Sequence, residues 1–278
     1  MNAFDDGGLA AFAALYPEQA GKLKHRLCGE PLLTIETLCD LAARLDPATF
    51  EYNRGDLPVG VDPDSAIGNG LSIAETLADI ERNGSWMVLK FVERDSAYRT
   101  LLDTALDELT EIVRPRTGAM LKREAFIFVS SPNSVTPFHF DPEHNILLQI
   151  RGHKTMTVFP ADDEDIVGPT EHERFHMGGH RNTPWHDRFT SKGSVHNLSP
   201  GDAIYVPVKA PHWVQNGPQM SISLSVTWRS EWSFAEADAR GFNHRLRTLG
   251  LTPQTPGRWP KRNTAKALAF RALRRLSL

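Results

Sequence analysis

The sequence predicts a mainly β fold with flanking helices, and three observations carry that prediction. Between residues 124 and 229 the apolar residues fall into short runs: AFIFVS at 125–130, NILLQI at 145–150, TMTVF at 155–159, AIYVPV at 203–208 and SISLSVTW at 221–228. Pro, Gly, Asn and Asp punctuate the gaps. On either side of that region the apolar period lengthens to that of a helix. Short strands in series, with helices kept to the ends, point to an antiparallel barrel or sandwich rather than a parallel sheet.

Taken in order, residues 1–120 read as a mainly helical region. Ser72-Ile73-Ala74-Glu75 has the form of a capping box, Ile73, Leu77 and Ile80 share one helical face, and Asn83-Gly84 supplies a stop. WMVLKFV at 86–92 is a strand, and Asp95 can cap a second helix. The stripe of that helix runs through Tyr98, Leu101, Leu102, Ala105, Leu106, Leu109 and Val113. Residues 121–232 form the β core. Within it, 160–200 lacks a clean period and is too long for a bare connection, so irregular strands or an insertion over a site are expected there. Residues 233–278 return to helix and end in the basic stretch NTAKALAFRALRRLSL.

The composition of the 278 residues, 40% hydrophobic and 23% charged, excludes disorder as the dominant state. No run approaches the roughly 18 apolar residues of a membrane span. The acidic start, MNAFDDGG, is unlike a signal peptide, and Cys28 and Cys39 lack metal or redox spacing. The expectation is a cytoplasmic protein with two reduced thiols. Charge is unevenly divided: residues 239–278 carry ten Lys or Arg and no acid, whereas 1–238 carry 21 basic and 34 acidic residues. Such a tail either docks on the acidic body or contacts nucleic acid or a membrane surface.

The chemistry concentrates in TPFHFDPEHN at 136–145. His139 and Asp141 are two apart, so on an extended chain both side chains leave the same face. An H-x-D triplet alone is more often a surface pair than a metal grip, and a third ligand must come from elsewhere. His212, opening a strand after the Pro-rich VPVKAP, is the candidate. Two imidazoles and a carboxylate on one side of an octahedral iron leave positions open for a co-substrate and oxygen. Lys154 is in phase with Met156 and Val158 on what should be an inward face, where an ammonium is costly unless an anion neutralises it. A diacid with one end on the metal and the other on Lys154 would meet that need. In the last strand, Ser221, Ser223, Ser225 and Thr227 alternate with Ile222, Leu224, Val226 and Trp228. The hydroxyl row lines a wet cavity or faces solvent, and the apolar row packs against helices.

On the residues VTPFHFD, NILLQIRGHKTMTVFP and GDAIYVPVKAPHWVQN, the stretch 124–230 resembles the Jumonji-C (JmjC) iron(II)- and 2-oxoglutarate-dependent oxygenases, in particular their hydroxylase branch. The resemblance implies a double-stranded β-helix, the cupin-type jelly roll, with iron held by His139, Asp141 and His212. It implies that Thr136 and Lys154 hold the distal carboxylate of 2-oxoglutarate and that Asn145 lies near the co-substrate. Some hydroxylases carry an Asn on the final strand beside the iron-bound end, where this chain has Thr227. The implied reaction couples decarboxylation of 2-oxoglutarate to succinate with hydroxylation by dioxygen of a protein or peptide side chain or a small molecule.

Two other classes stay open at this level: a cupin-fold binding protein without turnover, and a cupin dioxygenase that uses no 2-oxoglutarate. The former should show a broken triad and the latter extra histidines. His172, His176, His180, His186 and His196 lack zinc-type pairing and read as solvated loop residues. Glu143 and His144 fit either a substrate contact or a turn beside Pro142. In the tail, Phe270, Leu273 and Leu276 with Arg271, Arg274 and Arg275 form a basic amphipathic helix. A packing role, including a homodimer through C-terminal helices as in JmjC hydroxylases, is favoured over a membrane or nucleic-acid contact.

Overall fold

A computed structural model describes residues 2–60 and 68–276. Before the core come α1 (Asp6–Leu15), β1 (Gly21–Lys24), α2 (Ile35–Ala42), β2 (Phe50–Arg54), α3 (Ile73–Ala78), β3 (Ser85–Lys90), α4 (Ser96–Asp107) and α5 (Thr110–Thr117). The core holds β4 (Met120–Ser130), β5 (Val135–His139), β6 (His144–Arg151), β7 (Lys154–Val158), α6 (Pro169–Phe175), β8 (Ser194–Leu198), β9 (Asp202–Val206), β10 (His212–Asn216) and β11 (Ser221–Ser230). The chain continues through α7 (Glu231–Thr248) and α8 (Thr264–Arg275).

The strands build two antiparallel sheets, β1-β9-β6-β11-β4-β3-β2 and β5-β10-β7-β8. The core strands β4 to β11 thus switch sheet at every step except from β7 to β8, which are neighbours in the small sheet, as in a jelly roll. β11 organises it. Its ten residues pair with β4 on one side and β6 on the other. Ile222, Leu224, Val226 and Trp228 join Ile146 and Leu148 of β6 and Ile127 and Val129 of β4 on the outer face, beneath Phe12, Leu38, Leu102 and Leu106 of the helices. Burial of that many large apolar side chains, each contributing about 1.5–3 kcal/mol, fixes which face of β11 looks inward. The inner face closes on Leu147, Ile204 and Val206 of the large sheet and Met156, Val158, Leu198 and Val214 of the small one.

The N-terminal region is less helical than its sequence suggests, because β1, β2 and β3 all add to the large sheet. The capping box at Ser72 forms, and Asp95 caps α4 through the Ala97 amide. The single stripe expected from Tyr98 to Val113 is divided between α4 and α5, although Tyr98, Leu102, Ala105, Leu106, Leu109 and Val113 all stay buried. The aperiodic stretch after 160 lays Ile166, Val167 and Phe189 against Phe138, Phe140 and Phe159, with Trp213 and Trp185 at the margin. It is a cover for the outer face of the small sheet, followed by the edge strand β8.

The solvated reading fails for part of the histidine group. His172 is buried with its ring edge-on to Phe140, centroids 4.7 Å apart, and His176 and His196 are half-buried; His180 and His186 are exposed. α6 turns one face into the fold, and the apolar cover around Phe140 and Phe175 draws His172 in with it. The basic tail docks on the body. Arg240, Arg247, Arg258 and Arg271 form ion pairs with Glu236, Glu173, Glu18 and Asp238 at 2.5–2.7 Å, and α8 seats Ala267 and Phe270 against α7. Gly241 is required there, since a Cβ would lie 2.4 Å from the Phe270 ring.

Candidate metal centre

His139 and His212 face each other as direct register partners at the ends of β5 and β10, ring centroids 4.3 Å apart. Each imidazole is oriented by its own backbone. Nδ1 of His139 lies 2.7 Å from the Pro137 carbonyl and Nδ1 of His212 lies 3.0 Å from the Ala210 carbonyl. A carbonyl can only accept, so each Nδ1 carries the proton and each Nε2 presents a lone pair. Burial first, then the neighbouring His212 charge, pushes His139 down to about 3, and burial likewise lowers His212. Both rings are therefore neutral near pH 7, the form a metal needs.

Asp141 completes the set. Its Oδ2 is 3.7 Å from Nε2 of each histidine, and its Oδ1 accepts from Arg181 at 2.8 Å. Burial alone would raise this carboxyl, but Arg181 and the two imidazoles more than offset that and hold it at about 2. One donor atom from each of the three residues lies within 4.8 Å of the others, close enough for one cation to touch all three. Arg181 occupies the oxygen that faces away and so fixes the carboxylate's rotation. Behind it, the Lys209 amide donates to the Asp141 carbonyl at 2.7 Å. Lys209 adopts a left-handed φ of 62°, and its ammonium pairs with Glu236, which also binds Arg240.

A β-bulge brings the remaining residues onto the same face. His212 pairs with His139, but Val214 pairs with Thr136 rather than Pro137, so the register slips by one residue in β5. Thr136 and His139 are three apart and would leave opposite faces of a regular strand; the bulge turns both inward. On β7, Lys154 is in phase with the buried Met156 and Val158 and sits opposite Asn216. Lys154 is only 6% exposed, and no carboxylate lies within ion-pair distance of it among the described residues. Burial alone pushes its ammonium down to about 7. The Gly152-His153 turn before it depends on Gly152, with φ 72° and the Met220 carbonyl 2.3 Å from where a Cβ would stand.

The hydroxyl row of β11 lines the interior. Ser223 donates to Gln149 at 2.8 Å, Ser225 to Asn145 at 2.6 Å and Thr227 to the Glu124 carbonyl at 3.1 Å. Asn145 and Thr227 are register partners near the metal end. His144 does not reach the site. It is fully buried on the opposite face, stacked on Trp228 and bonded to Tyr205 and Ser230. Glu143 does belong to this region: burial, then the nearby Asp141, raises its carboxyl to about 7, while Arg229 and Arg181 act in the other direction.

Asn216 and Arg181 escape the sequence reading. Asn216 donates to the carbonyl and hydroxyl of Ser134, both at 3.0 Å, and its Oδ1 is buried with no partner among the described residues. Its phase with His212 in HWVQN was an available signal. Arg181 had none, because it arrives from the aperiodic stretch, where Asn182 forms an isolated bridge to His139.

A family model described as the cupin-like domain matches residues 74–234, more than half of the chain. The chain belongs to the cupin-like domain family. It is 31% identical over 98 residues to the Jumonji C domain-containing protein 5 of Drosophila melanogaster, covering 33% of this chain and 24% of that protein. It is 29% identical over 104 residues to the lysine-specific demethylase JMJ30 of Arabidopsis thaliana, covering 35% and 24%. This cupin-like chain thus spans about a quarter of the length of the curated relatives it matches. Among solved structures, Escherichia coli ycfD superposes with a TM-score of 0.50 at 15% identity, over 95% of this chain and 66% of that one, a likeness of fold. No helix among the described residues is long and apolar enough to cross a membrane.

Proposed function

We propose that this cupin-like protein is an iron(II)- and 2-oxoglutarate-dependent oxygenase that hydroxylates a protein or peptide side chain or a small molecule. The observation that carries the proposal is the pairing, on one inner face, of a three-donor site with a buried ammonium that has no carboxylate partner among the described residues. In this reading Nε2 of His139, Nε2 of His212 and Oδ2 of Asp141 hold the metal. Two imidazoles and one carboxylate leave a bound iron with positions open.

Lys154 and Thr136 receive the distal carboxylate of 2-oxoglutarate, and the unpartnered Oδ1 of Asn216 faces the same space as a candidate for a bridging water or hydroxyl. Asn145, oriented by Ser225, stands with Thr227 toward the metal-bound end; the Thr227 proton is already given to Glu124, so its oxygen can only accept there. Iron with 2-oxoglutarate supplies the activation of dioxygen, with succinate and carbon dioxide as the co-products. The protein's own share is to hold the donors neutral and oriented, to match the diacid's charge in a site closed to water, and to keep the reacting face dry. Residues 121–232 are assigned as the catalytic core, 1–120 as a packing region and 233–278 as a basic helical region that offers a homodimer contact through exposed Leu249, Leu268 and Leu276. The thiols Cys28 and Cys39 fit a reducing cytoplasm.

Oxygen-dependent succinate formation from iron(II)-loaded protein, screened over peptide and small-molecule candidates, tests the activity. The expected result is succinate that requires iron, oxygen and His139. Iron retention with no succinate under any substrate would instead support a binding protein, and turnover without 2-oxoglutarate would support the other cupin dioxygenases.

A further inference from the structure

Five of the tail's ten cationic side chains, Arg240, Arg247, Arg258, Arg271 and Arg274, form ion pairs among the described residues, so much of its charge is left over. Arg262 has no such partner among the described residues. Arg262 lies on the wall of a cleft of about 440 Å³ between the end of α5, the start of α7 and the segment leading into α8. Arg114 and Arg116 line the same cleft from α5, and neither is in an ion pair among the described residues. Arg116 donates to the carbonyls of Ala13 and Tyr16, contacts that hold it in place without cancelling its charge. Glu231 is the one acidic residue of the lining, so the cleft keeps an excess of two positive charges.

The wall beside these guanidiniums is aromatic and fixed. Trp259 is half-buried, with its indole N–H donated to the Arg116 carbonyl at 3.2 Å. Trp232 forms the floor, its indole N–H bonded to the Lys261 carbonyl at 2.8 Å. Both indoles are held by backbone acceptors, so the rings are set before a ligand arrives. Planar guanidiniums that no carboxylate holds read phosphate, and a partly open indole reads a flat base. The volume lies within the range of small-ligand clefts.

We propose that this cleft is a binding site for a phosphorylated nucleoside, with Arg114 and Arg262 on the phosphate and Trp259 on the base. The same chemistry is presented by a free mononucleotide and by a single-stranded nucleic acid, and the test has an arm for each.

Full-length protein is titrated at low salt with adenosine monophosphate, with inorganic phosphate and with a single-stranded RNA of about eight nucleotides. Tryptophan fluorescence and RNA anisotropy are the readouts. The proposal expects saturable binding of at least one nucleotide ligand, tighter than inorganic phosphate. It also expects about a tenfold weakening in the double variant Arg114→Glu/Arg262→Glu, with an unchanged melting curve. Mononucleotide binding as tight as that of the RNA identifies the free ligand as the source. Tighter RNA binding that falls steeply with salt identifies the strand. Absence of saturable binding by both, equal binding of inorganic phosphate, or full binding by the double variant overturns the proposal. None of these measurements needs iron or 2-oxoglutarate, so their outcome is independent of the oxygenase reading.

Discussion

Two lysines of this barrel are buried to almost the same degree and lead opposite lives. Lys209 is 1% exposed and Lys154 is 6% exposed, and both ammonium groups are pushed down to about 7, burial being the first cause in each case. Lys209 meets Glu236, which Arg240 also binds, and its backbone supports the Asp141 carbonyl. Lys154 meets no carboxylate within ion-pair distance among the described residues. A buried ion with an internal partner belongs to the structure, and a buried ion without one is suited to a charged ligand.

The contrast is broken most sharply by removing the partner. Glu236→Leu leaves Lys209 and Arg240 facing each other without an anion, and should cost about 3–5 kcal/mol in urea unfolding, with loss of metal affinity as Asp141 loses its support. A cost below 1 kcal/mol would mean that the triad is not structural. Lys154→Met should do the reverse. It removes an uncompensated charge, so the melting temperature should hold or rise, while 2-oxoglutarate binding weakens by about 100-fold through loss of a charge-assisted contact. A destabilised Lys154→Met protein would show that the ammonium has a partner in the fold after all.

The pH dependence of the same contact sharpens the comparison. Only the protonated lysine matches a dianion, and Lys154 in the free protein loses its proton near pH 7. Affinity for 2-oxoglutarate should therefore be full below pH 7 and fall by up to tenfold per unit above it, with proton uptake on binding visible by calorimetry in buffers of different ionisation enthalpy. Binding that does not change between pH 6.5 and 8.5 would remove Lys154 as the anchor. The smallest effect is expected at Thr136→Val, which keeps the shape of the bulged strand and removes one hydroxyl. About 1 kcal/mol of 2-oxoglutarate affinity, a factor near five, should be lost with no change in stability.

Much of this was legible in the sequence because one physical rule, alternation, governs a barrel strand. SISLSVTW states its two faces outright, and the phase of Lys154 with Met156 and Val158 alone places the ammonium inside. The H-x-D pair and His212 were likewise readable as donors. What alternation cannot show is where it fails. The bulge at Pro137–Phe138 is a one-residue slip in register, visible only against β10, and it alone explains how Thr136 shares a face with His139. Arg181 is equally hidden, since its partner Asp141 lies forty residues back along a stretch without period. β1 and β2 were missed for another reason. GKLK and FEYNR are short and largely polar, and they are strands only because the large sheet offers them an edge. His172 misleads because a histidine in an irregular segment looks solvated until a packed face is known to lie beneath it.

The most direct test is an anaerobic titration of iron(II)-loaded protein with 2-oxoglutarate, followed by the visible metal-to-ligand charge-transfer band. The wild-type protein should develop a saturable band, His139→Ala none, and Lys154→Met the same band only at far higher 2-oxoglutarate. A wild-type protein that gives no band, or a Lys154→Met titration that overlays the wild type, would contradict the assignment of this barrel as a site for a ferrous ion and a keto diacid.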